Sequence, residues 1–178
     1  MTADELSQLP EDGYCCELVR GALVRDHPPG FRHGQIAQHL GALLWNWCQA
    51  TGAGIVVAAE TGFRLTADPD TVRAPDAAFV TRSRIPAGGG PDGYWDGAPD
   101  VAVEVLSPDA RVADVQIKVD DYLDAGAQEV WVVNPQSMTV TIYRSQRDVT
   151  VLAEDDAFLG AGVVEGFAFK LSELFADA

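Results

Sequence analysis

The sequence predicts an α/β fold in which apolar strands alternate with two long amphipathic helices, and three observations support this prediction. The stretch 98–108 is an apolar run between two prolines, and a strand this apolar normally lies in the centre of a sheet. Two segments repeat apolar residues at helical spacing. Finally, a strand, a helix and a strand at 101–106, 111–125 and 130–133 predict a right-handed crossover and hence a parallel pair.

The bulk properties are those of one globular domain covering residues 1–178. The apolar content of 47% and the charged content of 22% are ordinary for such a domain. The sequence has no run of about 18 apolar residues, the length that could span a membrane, and the start of the chain lacks the basic and apolar regions of a signal peptide. We therefore expect a cytoplasmic location. The three cysteines have no metal-binding or disulfide spacing, and we expect them to be reduced and buried.

The formal net charge of −15 restricts the function, because a protein that grips phosphate backbones usually has a basic surface. Two interpretations remain open. Bound divalent cations neutralise some of the acids, or nucleic acid is not the substrate.

The N-terminal third of the chain predicts a short helix, a hairpin and a long helix. The short helix covers residues 3–9 with Thr2 as its cap, and the hairpin covers 14–25 with its turn at Arg20-Gly21. Apolar residues at helical spacing then predict a core-packed helix from His33 to about Gln49.

The middle of the chain predicts two further strands and a loop. A strand covers residues 55–60, and residues 61–65 extend or bend it. A second strand at 77–80 follows directly after Asp76. The segment 84–97 is rich in glycine and proline, which predicts a mobile loop or a flap that faces the substrate.

The C-terminal part begins with the crossover helix, which starts at Ser107-Pro108-Asp109 and ends before Gly126. After the strand at 130–133, the segment 139–152 predicts an antiparallel hairpin, and residues 167–171 a last strand. The hairpin offers edge strands through which two copies could form a homodimer.

Two acids and one lysine stand out against this apolar framework. Glu104 lies inside the strand 101–106. Burying a carboxylate there costs roughly several kcal/mol of free energy unless the group is paired or bound to a metal. Asp76 lies at the start of a neighbouring strand, and Lys118 lies on the margin of the apolar stripe of the next helix. Such a set suits phosphodiester hydrolysis, in which carboxylates and the Val105 carbonyl hold Mg²⁺ or Mn²⁺ and the lysine orients a water or stabilises charge.

The chain resembles the restriction-endonuclease-like family of the PD-(D/E)xK nuclease superfamily over nearly its whole length. Six motifs carry the resemblance: Tyr14…Glu17-Leu18-Val19-x-Gly21, His33 at the first long helix, Arg73-x-Pro75-Asp76, Pro99-Asp100-Val101-x-Val103-Glu104-Val105-Leu106-Ser107-Pro108, Lys118-x-x-x-Tyr122-Leu123-x-Ala125-Gly126, and Val130-Trp131-Val132-Val133-x-Pro135.

The resemblance implies a mixed central sheet flanked by helices, with an αβββαβ core, and a homodimer that cuts both strands of DNA. It maps the superfamily aspartate onto Asp76 and the second acid onto Glu104. The sequence departs at the third position, because Leu106 stands where the motif has a lysine. The resemblance suggests that the lysine has moved to Lys118 on the following helix.

Four further residues are secondary candidates for the same cleft. Asp100 shares a strand face with Glu104 and could supplement it or replace Asp76. The other three are Glu17, His33 and Glu60.

Three hypotheses follow. The first is a Mg²⁺-dependent DNA endonuclease that acts through the two acids and Lys118. The second is a catalytically inactive binding or regulatory protein with a nuclease-like fold, which the leucine at position 106 and the charge of −15 both favour. In the third, the acids are structural, and each pairs with an arginine such as Arg73, Arg111 or Arg64.

Overall fold

The computed structural model describes residues 1–10 and 12–176. The helices are α1 Ala3–Ser7, α2 Phe31–Thr51, α3 Val112–Asp124 and α4 Leu171–Phe175. The strands are β1 Cys15–Val19, β2 Ala22–Asp26, β3 Gly54–Ala58, β4 Phe63–Thr66, β5 Thr71–Arg73, β6 Ala77–Thr81, β7 Trp95–Asp96, β8 Val101–Val105, β9 Glu129–Asn134, β10 Thr139–Tyr143, β11 Val149–Leu152, β12 Ala157–Leu159 and β13 Ala168–Lys170.

The central sheet has six strands in the order β11-β10-β9-β8-β6-β3. The β8–β9 pair is parallel and the other pairs are antiparallel, so the sheet is mixed. The crossover from β8 through α3 to β9 and the hairpin of β10 and β11 are therefore confirmed. Taken in chain order, α2, β3, β6, β8, α3 and β9 form the expected αβββαβ core.

The two long helices cover opposite faces of this sheet. Alternate side chains of β8 point to α2, where Val101 and Val103 pack in one apolar cluster with Leu40. The intervening residues point to α3, where Ala102 packs with Val119 in a second cluster. Glu104 has the same orientation as Ala102, which places its carboxylate under α3.

A second sheet of five short strands has the order β2-β1-β5-β4-β7. The hairpin of β1 and β2 turns at Arg20 and Gly21, whose φ angles of 48° and 78° fit the turn type that two-residue hairpins prefer. This sheet carries Glu17 on β1 and Arg73 on β5.

Of the two alternatives for residues 61–65, a bend after the preceding strand is confirmed and an extension of that strand is wrong. The chain turns at Glu60, which has a φ of 69°, and β4 leaves the central sheet to pair with β5 and β7. The segment 84–97 also contains regular structure, because β7 pairs in parallel with β4 and Trp95 packs against the apolar cluster under α3.

The C-terminal strand β13 pairs with β12 as a separate two-stranded sheet. Of the three free cysteines, Cys48 is buried as expected, whereas Cys15 and Cys16 are half-buried on β1. No helix in the described ranges is both long and apolar enough to cross a membrane.

Candidate active site

Lys118 lies at the centre of a cluster of ionisable groups beneath the end of β8. Its ammonium nitrogen is 3.0 Å from Glu104 Oε2 and 3.3 Å from Glu17 Oε1. Burial lowers the pKa of Lys118, but the two carboxylates raise it more, so that the net shift is upward. The lysine is therefore a fixed positive charge at neutral pH, shared between an acid of each sheet.

Glu104 receives donors on both carboxylate oxygens. Lys118 contacts Oε2, and the hydroxyl of the fully buried Tyr122 donates to Oε1 at 2.8 Å. The two donors are four residues apart on α3 and so lie on one helix face. Burial raises the pKa of Glu104, Lys118 lowers it, and the charges of Glu17 and Asp76 raise it again, to about 7.

Glu17 is the more strongly compensated of the two acids that share the lysine. Arg73 Nη1 donates to its Oε2 at 2.8 Å, and the Ala74 amide donates to its Oε1 at 3.0 Å. Burial raises the pKa of Glu17, but Lys118 and Arg73 lower it more, and the net shift is downward. Arg73 also contacts Asp121 Oδ2 at 2.6 Å, which ties the second sheet to α3.

Asp76 is held at the other side of the cluster, directly before β6. Its amide donates to the Val103 carbonyl at 2.9 Å, and its Oδ2 accepts the Val105 amide at 2.7 Å. His33, in the first turn of α2, approaches the same Oδ2 at 3.2 Å through Nε2. The Val105 amide and His33 both contact Oδ2, and neither contacts Asp76 Oδ1.

His33 is close to both the Asp76 carboxylate and the Val105 carbonyl. Burial lowers the pKa of His33, but the hydrogen bond and charge of Asp76, with the Val105 carbonyl, raise it above 6.5 overall. Its Nδ1 is buried and has no hydrogen-bond partner in the described part of the chain.

The donor chemistry of the cluster fits a hard divalent cation. Asp76 and Glu104 occupy adjacent antiparallel strands and interact electrostatically, and the Val105 carbonyl supplies a third oxygen beside them. No group of three or more His, Cys, Asp or Glu side chains in residues 1–10 and 12–176 is arranged to hold a metal ion. Mg²⁺, however, is usually bound by one or two carboxylates, waters and substrate phosphates.

The structure brings five of the predicted side chains together, namely Asp76, Glu104, Lys118, Glu17 and His33.

It does not bring Asp100 to them. That acid lies at the far end of β8, about 13 Å along the strand from Glu104, where it accepts the Thr81 amide at 2.8 Å and pairs with Arg84 at 3.2 Å. Glu60 is exposed and lies 3.9 Å from the Cys15 thiol, outside the cluster.

The hypothesis that the three acids each pair with an arginine is right for Asp100 and wrong for Asp76 and Glu104, whose partners are a histidine and a lysine. Asp76 pairs with His33, Asp100 with Arg84, and Glu104 with Lys118. Glu17 pairs with Arg73 and Lys118, and the nearby Arg20 pairs with Asp121 instead.

Sequence reasoning missed Tyr122, Arg73 and Asp121 as members of the site. A signal for Tyr122 exists, because it follows Lys118 by four residues and so shares its helix face. The Arg73–Asp121 pair joins two elements far apart in sequence, and no local pattern indicates it.

An apolar groove with a volume of about 350 Å³ runs between α2 and β3. His33 and Asp76 lie at one end of it, and Trp45 and Val56 also line it. Of the cluster, His33 and Asp76 therefore face a groove that is open to solvent.

Both the family model and the solved structure that match this chain are described as nucleases. The model of the Uma2 family, described as "Putative restriction endonuclease", matches residues 3–172. A crystal structure of "a putative nuclease belonging to DUF820" from Anabaena variabilis ATCC 29413 is similar with a TM-score of 0.86 and 24% identity, over 99% of this chain and 98% of that one. At this identity the structural likeness bears on the fold alone. No curated protein matches the chain.

Proposed function

Because the chain belongs to the Uma2 family of putative restriction endonucleases, we propose that it is a metal-dependent DNA endonuclease that hydrolyses phosphodiester bonds. The supporting observation is the convergence of Asp76, Glu104 and Lys118 at one end of the central sheet. Two carboxylates and a half-buried ammonium group in one cleft are costly to maintain for stability alone. They match the needs of a reaction in which charge develops on phosphoryl oxygens.

In this proposal Asp76, Glu104 and the Val105 carbonyl hold Mg²⁺ or Mn²⁺. When bound, the ion would polarise a phosphoryl oxygen and lower the pKa of a coordinated water. Lys118 keeps Glu104 oriented through its 3.0 Å contact and offers its remaining protons to developing negative charge. Tyr122 fixes the other oxygen of the same carboxylate, so that little reorganisation is needed when substrate arrives.

A second candidate function is a catalytically inactive binding protein on the same fold. Leu106 at the usual lysine position and the net charge of −15 favour it. Such a protein would present its acidic surface to a basic partner. Divalent metal binding at Glu104 separates the two, because a scaffold has no need of the ion.

We further propose that the chain forms a single domain and a cytoplasmic homodimer. The edge strand β11 supports a dimer, since Val149 and Val151 on it are 43% and 61% exposed. Light scattering coupled to size exclusion measures the mass directly, and a monomer at micromolar concentration would contradict the proposal.

The decisive experiment combines calorimetric titration with Mg²⁺ or Mn²⁺ and cleavage of plasmid DNA. We expect Asp76→Asn and Glu104→Gln to abolish the metal-binding heat and to slow cleavage by about 10²–10³-fold, as for loss of one transition-state stabilising group. Glu129→Gln is the matched control, because Glu129 is also buried but pairs with Arg144 and Trp131. Undiminished cleavage by Asp76→Asn or Glu104→Gln would refute the proposal.

A further inference from the structure

A chain with a net charge of −15 repels DNA at long range, so a DNA substrate requires local cations that carboxylates do not already neutralise. Of the 12 lysines and arginines, seven pair with carboxylates in the described residues. The cations without a carboxylate partner there are Arg32, Arg82, Arg111, Arg147 and Lys170.

Two of these cations flank the candidate active site. Arg32 immediately precedes His33 in the first turn of α2. Arg111 caps the N-terminus of α3 and precedes Lys118 by seven residues, which is two helical turns, or about 10 Å, on the same face. Since α2 and α3 cover opposite faces of the central sheet, the two arginines lie on helices at opposite sides of the site.

The other unpaired cations lie elsewhere. The Arg82 amide donates to the Ala53 carbonyl at 2.8 Å, beyond the C-terminal end of α2. A helix of 21 residues is about 30 Å long, so Arg82 lies roughly that far from Arg32. Arg147 lies in the β10–β11 turn and Lys170 on β13.

Each flanking arginine is next to an unusually exposed apolar side chain. Phe31 is 90% exposed and Val112 is 86% exposed, more than any other large apolar residue that the structure describes. Both stand at the first position of their helices, where neither packs against the core. An exposed aromatic ring beside unpaired cations, as at Phe31, is the combination with which proteins bind single nucleic-acid strands, through base stacking and phosphate contacts respectively.

We propose that the pairs Phe31–Arg32 and Arg111–Val112 form a clamp that holds the DNA backbone on both sides of the candidate active site. The arginines contact phosphates flanking the scissile bond, and Phe31 and Val112 contact the adjoining sugars or bases. This inference rests on the proposed function for the identity of the substrate. Phosphate contacts carry no sequence information, so the clamp provides affinity and positioning.

The test measures binding of a fluorescent 30-base-pair duplex to the full chain in EDTA, where no metal-dependent cleavage occurs, between 50 and 200 mM NaCl. The double variant Arg32→Ala/Arg111→Ala is compared with Arg82→Ala/Arg147→Ala, which changes the net charge equally. Each phosphate contact contributes about 0.9 to the slope of log affinity against log salt. We expect the magnitude of the slope to fall by about 1.8 in the clamp variant, because two contacts are lost. Raising the salt fourfold should then weaken wild-type binding roughly 12-fold more than it weakens binding by the variant. The control variant keeps the wild-type slope.

A second comparison tests the apolar contact. On a fluorescent 30-base single strand, whose bases are free to stack, Phe31→Ala should weaken binding by roughly fivefold or more, the lower end of base stacking on an aromatic ring, without changing the salt slope. Leu159→Ala is the control, because Leu159 is 72% exposed on β12, outside the clamp.

The outcomes separate the two proposals. Equal slopes for both double variants, or a wild type that does not bind DNA, would overturn the clamp. If the wild type cleaves DNA but the slopes are equal, the clamp fails and the proposed function stands. If the salt dependence falls only in the clamp variant and the wild type does not cleave DNA, the clamp stands and the endonuclease proposal fails.

Discussion

Replacing Glu104 with glutamine should remove much of the pH dependence of stability of the metal-free protein. The folded state raises the pKa of Glu104 from 4.5 to about 7, chiefly through burial, so the folded protein binds this proton more firmly than the unfolded chain. The associated stability is complete below pH 4.5 and is lost as the pH rises through 7. A shift of this size corresponds to about 3 kcal/mol, of which about 2.5 kcal/mol disappears between pH 5 and pH 8.

The measurement is urea unfolding in EDTA at pH 5, 6, 7 and 8. Glu104→Gln should flatten the decline between pH 5 and pH 7. His33 also has a raised pKa, and its contribution is present below pH 6.5 and lost above it, so a decline confined to higher pH remains. The lowered pKa of Glu17 acts only below its ordinary value of 4.5, outside this range. Superimposable profiles for Glu104→Gln and the wild type would refute the reasoning.

Three further predictions concern the lysine position and two glycines. Lys118→Met leaves two buried carboxylates without their shared cation, and we expect the free energy of unfolding in urea at pH 8 to fall by about 3–5 kcal/mol. Adding Leu106→Lys to that variant should restore part of the metal-dependent cleavage, and a folded double variant with no recovery would contradict a shared role for the two positions. Gly54→Ala should lower the thermal midpoint because a Cβ there overlaps a carbonyl oxygen of β6, whereas Gly34→Ala, in open space on α2, should stabilise by about 1 kcal/mol.

The sequence predicted the elements that bury a continuous apolar face and missed those that do not. α2, α3 and the strands β8 and β9 are long enough for their periodicity to be seen, and the core fixes them where the pattern indicates. The second sheet was missed because β5 has three residues and β7 only two, too few for alternation to register. The pairing of β7 with β4 depends on contacts across about 30 residues, which no local pattern encodes.

The site was predictable as far as residue type and strand position determine it. The crossover topology brings three elements to one end of the sheet, and these elements carry Asp76, Glu104 and Lys118. Asp100 precedes β8 by one residue, and the rise of the strand carries it too far from Glu104. The pairing of Arg73 with Glu17 and Asp121 was not predictable, because it depends on how the second sheet contacts α3.

The position of the lysine on α3 changes how the central carboxylate is held. Lys118 and Tyr122 share one helix face, and each donates to a different oxygen of Glu104, so both hydrogen bonds follow the placement of a single helix. Leu106 instead packs in the apolar cluster that contains Tyr122, and this packing helps to hold α3 against β8. A lysine at position 106 would reach Glu104 from its own strand but would remove that apolar contact. The leucine therefore supports the helix that carries the two donors, and the orientation of Glu104 depends on the packing of α3 as much as on the strand that bears it.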